Sequence, residues 1–185
     1  MTSPATVGGD ERLRLFLALQ LPDGTLDILE RWQAEHLAGG RRVQRGSLHV
    51  TLAFLGSRPA DELPAIVDAL RGAAAGSGLI ALEPVAWRET RSVGMVVLHD
   101  ADDEAAALAE RLHVRLVGLG VYRREARPWL PHVTVLRFRR RPRLSPPLPE
   151  TGTFVPSGAA AYLSRLHPSG ARYEVLERVS LKAGG

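Results

Sequence analysis

The chain has 185 residues and a formal charge of +4 at neutral pH, with 45% apolar and 24% charged residues, the composition of one globular domain able to bury a core unaided. It has no cysteine, which excludes a disulfide scaffold, a zinc ribbon, an iron–sulfur site and a thiol nucleophile. No apolar run reaches the roughly 18 residues that a membrane-spanning helix needs.

Residues 1–11 are small and polar and read as a flexible N-terminal tail, with 12–185 as a single domain. Met1-Thr2-Ser3-Pro4-Ala5 offers no basic stretch followed by an apolar one, so a secretory signal is not expected and the cytoplasm is. Leu13, Leu15, Leu17, Leu19 and Leu21 occupy every odd position, the period of a strand with one buried face. Pro22-Asp23-Gly24 reads as a turn, and Thr25 as the cap of a helix carrying Leu26, Leu29, Trp32 and Leu37 that ends at Gly39-Gly40. A second strand is expected over 47–55. A helix from Asp61 then places Leu63, Ile66, Val67 and Leu70 on one face, before a small-residue loop over 72–78.

Strands are expected over 79–87 and 93–98. The acidic residues from Asp100 to Glu104 suit the positive end of a helix dipole, and that helix carries Leu108, Leu112 and Leu116. A strand over 130–138 follows. The Arg/Pro-rich stretch 139–149 reads as a surface loop, and strands over 159–166 and 172–181 close the chain. The order βαβαββαβββ is not a βαβ repeat and predicts an α+β fold with antiparallel pairing.

Two of these strands resemble each other. One holds Leu48-His49-Val50-Thr51-Leu52-Ala53-Phe54-Leu55, the other Pro131-His132-Val133-Thr134-Val135-Leu136-Arg137-Phe138. Six His and eight Thr in a chain this long give only about 0.26 His-x-Thr triplets by chance, and the two found are 83 residues apart, close to half the chain. That pattern reads as a diverged duplication with two lobes. Side chains at i and i+2 of a strand share a face, so His49 projects with Thr51 and His132 with Thr134. The same alternation sends Leu48, Val50, Leu52 and Phe54 toward the core.

Two imidazoles and two hydroxyls converging on one volume suit a phosphate. A neutral imidazole takes a proton from water, a protonated one donates to a leaving oxygen, and the hydroxyls bind phosphoryl oxygens. No base is expected beside either Thr, so neither is read as a nucleophile. His36, His99, His113 and His167 have no patterned partner and read as structural. His-x-Thr is not a metal-ligand spacing, no HExxH occurs, and no metal or cofactor is expected.

These residues resemble the two-histidine phosphoesterase superfamily, whose signature is a pair of H-x-[ST]-x motifs. Within it they are similar to the bacterial and archaeal RNA 2′,3′-cyclic phosphodiesterases, the LigT-like or 2′-5′ RNA ligase family. Arg14-Leu15-Phe16-Leu17-Ala18 resembles the family's opening strand, and the segment from Leu48 to Gly56 its first motif. Arg127-Pro128-Trp129-Leu130-Pro131-His132-Val133-Thr134-Val135-Leu136-Arg137 resembles the second, and Ser164-Arg165-Leu166 with Gly170 and Tyr173 the closing hairpin. The likeness spans about 12–182. Relatives commonly carry Asn where Ser47 stands and an aromatic at Arg42 or Val43, positions expected to border the substrate.

The resemblance implies two pseudo-symmetric lobes, each an antiparallel sheet with outer helices, around a central catalytic cleft. It implies metal-independent hydrolysis of an RNA 2′,3′-cyclic phosphate end to a 2′-phosphate, with reversible 2′-5′ ligation in some members. The near symmetry of the motifs does not order the histidines. The resemblance assigns His49 as proton donor and His132 as proton acceptor, with Thr51, Thr134 and Arg137 binding the phosphate. Arg137 follows His132 by an odd offset, so it reaches the phosphate only if its strand twists or bulges.

The expected partner is RNA with a 2′,3′-cyclic phosphate end, tRNA fragments included, acted on by a monomer. Of the 24 basic residues 23 are Arg, a ratio that a GC-rich genome or a phosphate-rich partner produces. The arginines of 137–143 with Arg123 and Arg124 are the expected basic groove. Two rival readings remain. A non-catalytic RNA- or nucleotide-binding module would have lost a His or Thr. A hydrolase of a small cyclic nucleotide or sugar phosphate would need no basic groove.

Overall fold

A computed structural model describes residues 11–182, so the expected tail lies outside the described residues apart from Glu11. The chain runs β1 (Arg12–Gln20), α1 (Asp23–His36), β2 (Arg41–Arg42), β3 (His49–Pro59), α2 (Leu63–Ala75), β4 (Leu82–Glu89), β5 (Val93–Asp100), α3 (Glu104–Gly118), β6 (His132–Arg137), β7 (Gly158–Arg165) and β8 (Arg172–Val179). Short 3₁₀ turns at Arg45–Ser47 and Ala60–Glu62 precede β3 and α2. The fold is α+β with antiparallel pairing throughout the sheet, as the element order predicts.

Strand order is β4-β5-β6-β3-β1-β7-β8. The β4-β5-β6 half and the β3-β1-β7-β8 half join at a single registered pair, Val50↔Val133. The two lobes therefore share one sheet, and its narrow seam lies inside both His-x-Thr segments. Further along the same strand, β2 pairs with β6 at Leu136 and Arg137. This two-residue strand of exposed arginines carries no periodicity and is absent from the sequence reading.

The odd-numbered leucines of β1 face the core as their spacing predicts, but β1 is buried on both faces rather than one. Leu15, Leu17 and Leu19 are fully buried in the main core, together with Leu70 of α2 and Leu112 of α3. The opposite face of β1 carries a second, smaller cluster of Phe16, Ala18, Ala160 and Tyr162. The helix boundaries differ in detail from the expected ones. α1 begins at Asp23 after an N-cap Pro22, and Thr25 is buried in the first turn rather than capping. Proline's fixed φ, here −68°, sets the chain up for the helix without a side-chain cap. α2 continues to Ala75 because three successive alanines favour helix over the loop expected from Gly72.

Candidate active site

The two His-x-Thr segments start β3 and β6. Burial follows the same order in both over six residues: half-buried His, buried Val, half-buried Thr, two buried apolar residues, then an exposed side chain. Strict alternation never buries two residues in succession on one face. A β-bulge does, because the extra residue resets which face follows. Pairing of β3 with β1 passes from Thr51↔Ala18 to Ala53↔Leu17, skipping Leu52. Pairing of β6 with β5 passes from Thr134↔Met95 to Leu136↔Gly94, skipping Val135. The residue five places after each histidine thereby joins the histidine's face.

In the first motif that residue is Phe54, in the second Arg137. Phe54, expected in the core, is instead 49% exposed and lines the cleft, with the Arg14 guanidinium 4.7 Å from its ring centroid. Arg137, which strict alternation would turn away, also lines it.

Each bulged residue's carbonyl is taken by a buried polar side chain from a helix. His113 Nε2 of α3 lies 2.8 Å from the Leu52 carbonyl oxygen. Gln33 Nε2 of α1 donates to the carbonyls of Val135 at 2.8 Å and Val43 at 3.0 Å. His113, expected to be structural, is buried against Tyr122 and also holds the first bulge. Trp129 Nε1 donates to the Thr51 carbonyl at 2.9 Å and ties the approach to β6 onto β3. Ahead of His49, Arg45 is ion-paired to Asp23, Asp27 and Glu30, which anchors the 3₁₀ turn.

His49, Thr51, His132, Thr134 and Arg137 thus line one cavity of about 360 Å³. His132 Nδ1 lies 2.8 Å from the Leu130 carbonyl, which fixes the proton on Nδ1 of the neutral ring and leaves a lone pair on Nε2. His49 sits among Phe16, Tyr162 and Tyr173, with ring centroids 4.9, 5.9 and 5.5 Å away. Burial there pushes its pKa down to about 4, opposed by a backbone hydrogen bond at Ser47 and reinforced by the positive charge of Arg137 and His132. Its Nε2 is 3.1 Å from Thr51 Oγ1. The expectation that no base stands beside either hydroxyl is therefore corrected for Thr51. The aromatic residues around His49 were recoverable from β1, where Phe16 falls between the inward leucines. Among the described residues, no three His, Asp or Glu side chains gather to hold a metal ion.

The family described as LigT like phosphoesterase matches residues 19–84. The RNA 2′,3′-cyclic phosphodiesterase of Thermus thermophilus is 30% identical over 185 residues, covering 92% of this chain and 91% of the relative. The chain belongs to the LigT-like phosphoesterase family. An Escherichia coli protein, also named RNA 2′,3′-cyclic phosphodiesterase, is 29% identical and covers 92% of this LigT-like chain and 98% of itself. The crystal structure of E. coli LigT complexed with 3′-AMP superposes with a TM-score of 0.80 at 25% identity, covering 94% of this chain and all of that one. A crystal structure from T. thermophilus gives 0.76 at 28% identity, covering 91% and 98%.

Arg124, Arg141 and Arg143, expected in a basic groove, do not line the cleft of this LigT-like chain. Arg141 is ion-paired to Glu89 and Arg124 to Glu110. Arg141 and Arg143 line an open depression beside β4 that shares no residue with the cavity between the two His-x-Thr segments. Of the run from Arg137 to Arg143, Arg137 reaches the cleft because the bulge turns it there.

The bulge clamps carry a testable consequence. Gln33→Leu leaves the Val135 and Val43 carbonyls buried without their side-chain donor. It is expected to lower unfolding stability by about 1–3 kcal/mol. It is also expected to lower kcat/KM, because Arg137 loses its fixed face. A urea midpoint and kcat/KM equal to wild type would show that the bulge stands without Gln33.

Proposed function

We propose that this phosphoesterase hydrolyses the 2′,3′-cyclic phosphate end of RNA to a 2′-phosphate without a metal ion. The observation that carries the reading is the convergence of His49, His132, Thr51, Thr134 and Arg137 on one cavity. The names of the two relatives supply the substrate class.

The reaction moves one proton at each end of the phosphorus. His132 Nε2 takes a proton from water as the water oxygen bonds to phosphorus. His49 gives its proton to O3′ as the P–O3′ bond breaks. Thr51, Thr134 and Arg137 hydrogen-bond the phosphoryl oxygens as negative charge builds on them. The fixed Nδ1–H of His132 suits the base, since it aims an unprotonated nitrogen at the cleft. The low pKa of His49 suits the acid, since a weakly held proton leaves readily, and the diester's negative charge loads it on binding. A ribose 5′-hydroxyl in the water's place gives 2′-5′ ligation by the same steps.

The deciding experiment is product analysis on a short RNA ending in a 2′,3′-cyclic phosphate, with EDTA present. A 2′-phosphate identified by phosphorus NMR is expected. Loss of activity in EDTA with recovery in Mg²⁺ or Mn²⁺ would overturn the two-histidine reading, and a 3′-phosphate product would overturn O3′ as the leaving oxygen.

The pH dependence follows from His49. With its pKa at about 4, the productive form, His49 protonated and His132 neutral, is a minor form of the free enzyme near neutral pH. The profile of kcat/KM reports the free enzyme. It is expected to be a bell whose acid limb lies near pH 4, a macroscopic value of the coupled pair. Bound phosphate raises the His49 imidazole, so the acid limb of kcat lies at higher pH. An acid limb of kcat/KM at the ordinary imidazole value of about 6.5 contradicts the buried setting of His49.

A further inference from the structure

A second cavity of about 290 Å³ opens from the catalytic one. The two share walls at Arg41, Arg137 and Tyr173. Arg42 of β2 and Arg172 of β8 line the second cavity and not the catalytic one, from opposite halves of the sheet, and Arg42 also borders an open depression with Glu30. Arg41 of β2 donates to the Ser169 carbonyl in the turn before β8, so it bridges the two lobes at this point. Four guanidinium groups thus face one concavity that, among the described residues, has no Asp or Glu in its lining. Arg45, Arg58, Arg71 and Arg124 each hold a carboxylate, but among the described residues Arg41, Arg42, Arg137 and Arg172 hold none. Such a cluster repels itself unless an anion enters it, and guanidinium binds phosphate by paired donors.

We propose that the Arg41–Arg42–Arg172 cavity is a second phosphate subsite that takes the phosphate on the 5′ side of the substrate's terminal nucleoside. The inference rests on the proposed function, with the scissile cyclic phosphate between His49 and His132. A 2′,3′-cyclic phosphate is the 3′ end of its chain, so any other phosphate of the substrate lies toward the 5′ side. Arg137 belongs to both cavities and stands between the two phosphates. The subsite makes the enzyme selective for a cyclic end that carries a 5′ phosphate over a bare nucleoside 2′,3′-cyclic phosphate. Sequence reading passed over it because β2 is two residues long and Arg172 lies some 130 residues away in the chain.

The test compares kcat/KM of the full chain on adenosine 2′,3′-cyclic phosphate, on the same compound bearing a 5′-phosphate, and on the dinucleotide ApA with a 2′,3′-cyclic end. The two substrates with a second phosphate are expected to exceed the bare nucleoside by about tenfold or more, with the excess falling as salt rises. An advantage of the dinucleotide over the 5′-phosphate identifies the internucleotide phosphate as the ligand, and equal gains identify any 5′ phosphate. Arg42→Gln and Arg172→Gln, made separately, are expected to bring the ratio of two-phosphate to one-phosphate substrate toward one. Equal kcat/KM on all three substrates in the wild-type protein overturns the subsite and leaves the proposed function standing. No turnover of any of the three, nor of a longer RNA with the same end, overturns the proposed function itself.

Discussion

Replacing either histidine by alanine is expected to lower kcat by about 10²–10⁴-fold on an RNA 2′,3′-cyclic end, the usual worth of a general acid or base. The double variant is expected to be little slower than the worse single one, because acid and base act as a unit. The two substitutions differ in their structural cost. Among the described residues His132 packs on no aromatic cluster, and its ring is tied to the Leu130 carbonyl. His49 contacts Phe16, Tyr162 and Tyr173, so alanine there opens a gap beside the small cleft-side cluster. His49→Gln fills most of that space and keeps a hydrogen-bonding group without an imidazole's proton chemistry. If His49→Gln folds to the wild-type melting midpoint and still turns over at near-wild-type rate, proton donation by His49 is refuted. The same result for His132→Ala removes the base.

Much of this site was readable before the structure because strand periodicity is short-range. Leu13 to Leu21 place β1 with one face in the core, and the i, i+2 rule puts each His with its Thr. What alternation alone misses is the step after Thr51 and Thr134. A bulge depends on cross-strand pairing with β1 and β5 and on side chains from α3 and α1, all distant in the chain. A local trace of it exists nonetheless. Leu52-Ala53 and Val135-Leu136 are adjacent apolar pairs at the same offset from His, and two inward residues in a row are what one extra residue produces. With that reading, the odd offset of Arg137 supports its presence in the cleft instead of opposing it. The arginines of the second cavity had no such trace. Arg41, Arg42 and Arg172 share a wall through tertiary folding alone, whereas the conspicuous run after Arg137 is partly engaged by Glu89.

Loss of a threonine hydroxyl gives the next largest expected effect, and the two sites are not equivalent. A hydrogen bond to a charged phosphoryl oxygen is worth roughly 1.5–3 kcal/mol, so Thr134→Ala is expected to cost on the order of 10–100-fold in kcat/KM. Thr51→Ala is expected to cost more. Thr51 Oγ1 is also the partner of His49 Nε2, at 3.1 Å, and its loss removes the hydroxyl that holds that nitrogen. The excess is expected to appear in kcat and in the position of the kcat limbs, since it acts through proton donation. Thr→Ser at either site keeps the hydroxyl and is expected to retain most activity. The 3.1 Å contact equally places a base against a potential nucleophile, so phosphate binding and covalent catalysis by Thr51 must be told apart. Direct attack by water leaves no covalent species and inverts a chiral cyclic phosphorothioate at phosphorus, whereas two successive displacements through Thr51 retain its configuration. A phosphothreonine trapped at Thr51 by rapid quench would make His49 the base for that hydroxyl, and the division of labour between the two histidines would have to be reversed.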